Sequence, residues 1–390
     1  MRILILSFYY PPDLSAGSFR ARSISEALAS KMNPNDTLDI ISTRPNRYAS
    51  YSETAPETER HGSINIKRIF VPAHKSGMVD QSLAFLKYAK EAWKSTRGKN
   101  YDLVLATSSR LMTAFLGTKI AKRQNCPLYL DIRDIFTDTL KDVLAGSPLK
   151  LLLPGFRRLE RYTIRSAHCI NLVSEGFGEY FKKISPDAHY TFFPNGIDEE
   201  FIKYDYNKNT VSKKKLILYA GNIGEGQGLH KIIPSAATRL YEKYEFLIIG
   251  DGGMRGELEK QIRRSNAQNV TILDPVARKR LLKYYKDSDY LLLHLNNYAA
   301  FKKVLPSKIF EYAATGKPIL AGVSGYSRDF LVNNVDKVAV FDPCDVDGFV
   351  NAVSGISSTM ASRQKFIDQY RRNSINTKMV ENIIRCASWN

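Results

Sequence analysis

The sequence predicts an α/β protein built as two doubly wound halves, and three observations predict it. Apolar runs of strand length alternate with helical stretches, the alternation breaks once near the middle and restarts, and the glycine-rich segments follow strand-like runs. In the first half the runs are "RILILSFYY", "LDIIST", "INIKRIFV", "DLVLATSS", "PLYLDIRD", "CINLVSE" and "HYTFFPNG". The second half supplies "LILYAG", "EFLIIGDGG", "NVTILD", "DYLLLHL", "PILAGV" and "KVAVFD". Such continuous apolar runs suit parallel strands covered on both faces.

The break is Tyr204–Lys215, polar, basic and rich in Asn, and is expected to be a linker. It divides the chain into an expected first domain, 1–203, and a second, 204–364. The terminal helical stretch, about 365–390, is expected to pack back on the first domain. With 390 residues the chain is too long for one ordinary core.

Hydrophobic content of 44% and aromatic content of 11% are ordinary for a folded protein. No run approaches the ~18 apolar residues of a membrane span. "ILILSFYY" leads into Pro11-Pro12 rather than a small-residue cleavage site, so a first strand is expected there instead of a signal peptide, and a cytoplasmic location with it. Cys126, Cys169, Cys344 and Cys386 show no paired spacing and are expected to be reduced. The formal charge of +18 favours an acidic partner: nucleic acid, an anionic membrane or a phosphorylated substrate. No RNA or DNA module signature accompanies it, so no nucleic-acid partner is expected.

In doubly wound sheets ligands lie beyond the carboxyl ends of the strands. The loops there are "SFYYPPDLSAGSFR", "YAGNIGEGQG" and "IIGDGGMRG". Gly250-x-Gly252 is followed by Arg255 where a dinucleotide fingerprint has its third glycine, which disfavours a nicotinamide or flavin enzyme. Gly17 permits close backbone approach to a phosphate and Arg20 can add charge-assisted hydrogen bonds, although a strand-to-helix turn with a solvated arginine fits the same residues.

The segment "LPSKIFEYAATGKPILAGVSG" is not a P-loop, because Gly316-Lys317 runs into Pro318. It is expected to form a helix capped by Ser307, with Ile309, Phe310, Ala313 and Ala314 facing the core and Gly316 ending it. That leaves Glu311, an acid among apolar neighbours, able to accept hydrogen bonds from a sugar or ribose diol. Lys303 and Lys308 flank the helix start, and two cations at a helix N-terminus suit a diphosphate.

Together "YYPPDLSAGSFR", "PNGID", "YAGNIGEGQGL", "FLIIGDGGMRGELE" and "LPSKIFEYAATGKPI" resemble, in order over nearly the whole chain, the family 4 retaining glycosyltransferases of GT-B fold. Within them the chain is most similar to the WbuB-like group of bacterial surface-polysaccharide biosynthesis. The resemblance implies two Rossmann-like domains facing across a cleft. A nucleotide-sugar, UDP-linked by default, would be held mostly by the second domain, and a glycan or polyprenyl-diphosphate-linked acceptor would enter from the first. Glu311 matches the second acid of the family's Glu, seven residues, Glu pattern; Lys303 stands in place of the first and is expected to pair with a donor phosphate. In the second domain's glycine loop "YAGNIGEGQG", Asn222 and Gln227 occupy the positions of the family's usual Arg and Lys.

The donor-binding set implied by the resemblance is Gly17, Arg20, Gly221, Asn222, Gly224, Gln227, Gly252, Val276, Ser307, Lys308 and Glu311, with Val276 in the stretch "DPVARKR" whose backbone would read the base. From "LYLDIRDIFTD", Asp134 would orient an acceptor hydroxyl and Arg133 would meet an acceptor phosphate; a surface ion-pair network is the alternative. No protein nucleophile is evident, and the family's front-face displacement needs none. Arg133, Asp134 and Lys303 are therefore the catalytic candidates, and neither a cofactor nor a metal is expected.

"LLLPGFRRLERYTIRSA", Leu151 to Ala167, is basic and amphipathic. It suits either an anionic cytoplasmic leaflet carrying a lipid-linked acceptor or an ordinary helix with solvated arginines. Competing functions are a non-catalytic nucleotide-sugar-binding scaffold and a UDP-sugar epimerase of the same fold.

Overall fold

The computed structural model describes residues 1–46, 54–71, 78–108, 111–143, 148–208 and 212–389. It divides into two compact units. The first is Met1–Asn195 with Asn373–Asn390, and the second is Gly196–Arg372.

The first unit is built on β1 (Arg2–Ser7), β2 (Thr37–Thr43), β3 (Thr58–His61), β4 (Ile64–Ile69), β5 (Leu103–Ser108), β6 (Leu128–Ile132), β7 (Cys169–Leu172) and β8 (His189–Thr191). Their order is β3-β4-β2-β1-β5-β6-β7-β8, parallel except where β3 turns back antiparallel on β4. The central strand β1 is apolar on both faces. Ile3 and Ile5 face the helix Ala16–Ala29 through Ala21, Ile24 and Leu28, together with the terminal helix Arg372–Ala387 through Met379, Val380, Ile383 and Cys386. On β5, Ala106 meets the helix Leu111–Gln124 so closely that a Cβ on Gly117 would lie 2.8 Å from the Ala106 Cβ.

The second unit holds β9 (Lys215–Ala220), β10 (Tyr244–Ile249), β11 (Val270–Leu273), β12 (Tyr290–His294), β13 (Ile319–Gly322) and β14 (Val338–Phe341), all parallel. The order β11-β10-β9-β12-β13-β14 is doubly wound, with a switch point between β9 and β12. The equivalent point of the first sheet lies between β1 and β5. Among the described residues, thirteen of the fourteen strands coincide with the apolar runs of the sequence. The exception, β3, is a polar and mostly exposed edge strand that carries no apolar signal.

Tyr204–Lys215 is not a free linker. Tyr206 is buried in the second unit's core, Asp205 pairs with Lys286 at 3.2 Å and Lys208 with Asp289 at 2.8 Å. Residues 209–211 of this stretch lie outside the described residues. Two aromatic side chains in a polar sequence thus pack where composition alone indicates a break. The chain passes between the units at 195–196 and again at 372–373. The second unit's ends are paired to each other by a bridge between Ile197 and Arg371.

Candidate functional site

In the second unit the loops after β9 and β10 lie backbone to backbone. Gly221 N–H donates to Ile249 O at 2.9 Å, Ile223 N–H to Asp251 O at 2.8 Å and Met254 N–H to Ile223 O at 2.9 Å. Only glycine allows this approach: a Cβ on Gly250 would fall 1.8 Å from Gly221 O, and one on Gly252 would fall 2.5 Å from Ile223 O. Asn222 and Gln227 do not point their amides away from the loop. Asn222 Nδ2 donates to Gln227 Oε1 at 2.8 Å, and the same oxygen accepts from Gly224 N at 3.3 Å.

The helix Lys308–Ala314 rests on the end of β9, where Ala220 N–H donates to Tyr312 Oη at 3.3 Å. Lys308 lies over Gly221, its Cε 3.5 Å from where a Cβ on that glycine would be. Lys308 Nζ pairs with Glu311 Oε2 at 2.9 Å, and Tyr285 Oη donates to the same oxygen at 3.3 Å. Burial pushes the Glu311 carboxyl up, but the Lys308 ammonium and the Arg278 guanidinium outweigh it and hold the carboxyl below its usual range. Glu311 is therefore an ionised acceptor. Arg278 is itself ion-paired to Asp198 and to Glu200 at 2.6 Å, and Asp198 also pairs with Arg372.

Ser307 precedes this helix in helical conformation and makes no side-chain capping bond, contrary to expectation. With φ and ψ of −59° and −27°, it does not take the extended backbone of a capping serine. Val276 is half-buried just ahead of the helix Arg278–Asp287, and Lys303 ends the short 3-10 turn Ala299–Lys303.

In the first unit Gly17 and Arg133 come together. A Cβ on Gly17 would meet Arg133 Nη1 at 2.3 Å, so the guanidinium rests directly on the glycine. Asp134 follows, lining a small cavity with Ser108, Phe136, Glu160 and Thr163. Burial pushes its carboxyl up to about 6 against the opposing pull of Arg133.

Arg20 requires a correction. Its side chain is 1% exposed and turned inward: Nε and Nη2 hold both oxygens of Asp131 at 2.8 and 2.9 Å, while Nη1 and Nη2 hold the carbonyls of Pro194 and Phe193, each at 2.9 Å. Four of its five N–H groups are spent on these partners, and its burial keeps the side chain away from a solvent-borne phosphate. Its partner Asp131, also held by Thr107 and Asn171, belongs to the "LYLDIRD" run, and an acid inside an apolar strand was the available signal.

The chain has two Asp-x-Asp spacings, Asp287–Asp289 and Asp345–Asp347, and one member of each is bonded to backbone. Asp345 caps the helix Val346–Gly355 by accepting from Gly348 N at 3.0 Å, and Asp289 accepts from Leu216 N at 2.8 Å beside Lys208. Among the described residues no helix is long and apolar enough to cross a membrane.

Comparison with known proteins agrees with this fold. Residues 201–373 match the family model for glycosyl transferases group 1. The putative colanic acid biosynthesis glycosyl transferase WcaI of Escherichia coli (strain K12) is 24% identical over 356 residues, 84% of each chain. Among solved structures, Anabaena Alr3699/HepE in complex with UDP-glucose superposes with a TM-score of 0.71 at 15% identity, covering 99% of this chain and 100% of that one. Sucrose-phosphate synthase from Thermosynechococcus elongatus gives 0.71 at 13% identity, covering 99% and 96%. The two doubly wound sheets, the paired glycine loops and the matched segment make this chain a glycosyltransferase of GT-B fold whose second unit carries a group 1 glycosyl transferase domain.

Proposed function

We propose that the chain transfers a sugar, with retention, from a UDP-sugar to a glycan or polyprenyl-diphosphate-linked acceptor in the synthesis of a bacterial surface polysaccharide such as lipopolysaccharide, capsule or exopolysaccharide. The observation that carries this reading is the ionised Glu311 beside Lys308 and the paired glycine loops. An anionic acceptor of hydrogen bonds suits a ribose diol, and backbone exposed by glycine suits a diphosphate. The structural neighbour solved with UDP and with UDP-glucose supports the choice of donor.

In this reading the second unit holds the donor and the first unit the acceptor. The bond between the anomeric carbon and the diphosphate oxygen breaks, the acceptor oxygen bonds to that carbon from the same face, and its proton passes to the leaving phosphate. Lys303 and Lys308 would balance charge on the diphosphate, Asp134 would orient the acceptor hydroxyl, and Arg133 would meet an acceptor phosphate. Arg20 supports the fold and takes no part.

Contact with the cytoplasmic leaflet is supported by the helix Leu153–Arg165. Leu151 and Leu152 stand exposed at its start, with Arg157, Arg158 and Arg161 exposed along it. The test is incubation of the purified chain with a panel of UDP-sugars and short-chain polyprenyl-diphosphate glycans, reading the anomeric configuration of the product by NMR. A retained linkage is expected. An inverted linkage, or conversion of the UDP-sugar without acceptor, overturns the proposal.

A further inference from the structure

Strand β12 ends on His294, and Asn296 follows two residues later on the same side of the extended chain. Both are polar, both are almost wholly buried, at 0% and 2% exposure, and neither belongs to the donor motifs of the sequence. Buried polar side chains are retained where they have partners, so their partners matter. They belong to the loop after β9.

His294 Nε2 accepts from Cys344 N–H at 3.0 Å, which fixes the tautomer: Nδ1 carries the proton and donates it to Gln227 O at 2.6 Å. The ring stacks on Phe341 at 6.2 Å and occupies the space left by Gly322, where a Cβ would lie 2.2 Å from His294 Cδ2. Asn296 extends the contact. Its backbone N–H donates to Gly226 O at 2.9 Å and its Nδ2 to Glu225 O at 2.9 Å, while its Oδ1 accepts from Lys231 Nζ at 3.0 Å. Three consecutive loop carbonyls, of Glu225, Gly226 and Gln227, are thus drawn to two residues of one strand end. The same loop carries Gly224 and the Asn222–Gln227 pair. Since a trans peptide sets the carbonyl of one residue antiparallel to the N–H of the next, holding these carbonyls also fixes the direction of the loop's amides.

We propose that His294 and Asn296 are positioning residues that hold the Gly224–Gly228 loop, before donor arrives, in the shape that receives the donor diphosphate. The proposal rests on the reading that this loop meets the diphosphate. Its physical content is preorganisation: a glycine-rich loop otherwise loses backbone freedom on binding, and that loss would weaken the complex. The nucleoside end, held elsewhere, gains nothing from the clamp.

Calorimetry on the full chain with UDP and with uridine separates the two. Wild type is expected to prefer UDP. His294→Ala is expected to lower UDP affinity about tenfold and uridine affinity less than about twofold, with His294→Gln, which keeps one donor and one acceptor, recovering most of the loss. Asn296→Ala should show the same split. If wild type binds uridine as tightly as UDP, the diphosphate reading of the loop fails. If wild type prefers UDP and the two alanine variants keep that preference in full, the clamp is overturned. Amide hydrogen exchange on wild type needs no variant to fold: protection at Gln227 and Gly228 should be present without UDP and change little with it. Fast exchange that slows only when UDP is added also overturns the clamp.

Discussion

The Arg20 guanidinium grips the Asp131 carboxylate through two hydrogen bonds, of 2.8 and 2.9 Å, with both side chains removed from water. Burial pushes the Asp131 carboxyl up, yet the adjoining guanidinium holds it below its usual range. The pair also ties the Phe193 and Pro194 carbonyls, at the end of the first unit's continuous chain, to the middle of its sheet.

Arg20→Ala should therefore act on stability. Stranding a buried carboxylate costs about 3–5 kcal/mol, visible as a lower urea midpoint, while UDP affinity of the folded fraction stays at the wild-type value. A variant with an unchanged midpoint and lost UDP binding would return Arg20 to the donor site.

Gly250→Ala should damage the second unit directly. Its Cβ would overlap the Gly221 carbonyl, and backbone cannot move aside as a flexible side chain can. A loss of about 2–4 kcal/mol in stability is expected, with weaker UDP binding even where the protein folds. Wild-type stability and affinity together would show that the loops yield.

Glu311→Ala should weaken UDP binding by about 10- to 100-fold, the range for lost hydrogen bonds to a charged group. The helix should remain folded, because Ile309, Phe310, Tyr312 and Ala313 still fill the core beneath it. Calorimetry with UDP checks the first statement and circular dichroism the second; wild-type affinity would remove Glu311 from the ribose site.

Asp134 predicts a pH dependence. An unfolded aspartate titrates near 3.8 and the folded carboxyl near 6, so between these values the folded state holds more protons. The stability associated with this group is complete below the unfolded value and is lost as pH rises through about 6. Asp134→Asn should abolish that part of the decline and leave the variant about 1–3 kcal/mol more stable than wild type at pH 7. Parallel stability curves for the two proteins from pH 4 to 7 would contradict it.

The membrane proposal is tested with Arg157, Arg158, Arg161 and Arg165 replaced together by Gln. Each basic residue near an anionic surface contributes on the order of 1 kcal/mol, so sedimentation with phosphatidylserine vesicles should fall sharply while transfer to a short soluble acceptor survives. Arg165 contributes least to the expected loss, since its Nε is already donated to Ile184 O at 3.0 Å. Equal sedimentation of variant and wild type would leave the helix as an ordinary solvated one.

The sequence by itself determined what is local. Strand-length apolar runs specified two parallel sheets because a strand covered on both faces must be apolar throughout, and the glycines of "YAGNIGEGQG" and "IIGDGG" marked the loops beyond the strand ends; that these two loops lie backbone to backbone came only with the fold. Glu311 stood out as an acid among core residues. Tertiary structure alone decided which way the charged and polar groups turned. Arg20 reads as a phosphate ligand beside Gly17, but its carboxylate partner lies 111 residues along the chain. His294 reads as one more strand residue until Gln227, 67 residues before it, and Cys344, 50 residues after it, arrive on its two nitrogens. Tyr206 sits in a polar stretch and is buried nonetheless. Periodicity and the absence of a side chain act within a few residues, whereas a buried polar atom takes whichever partner the completed fold brings to it.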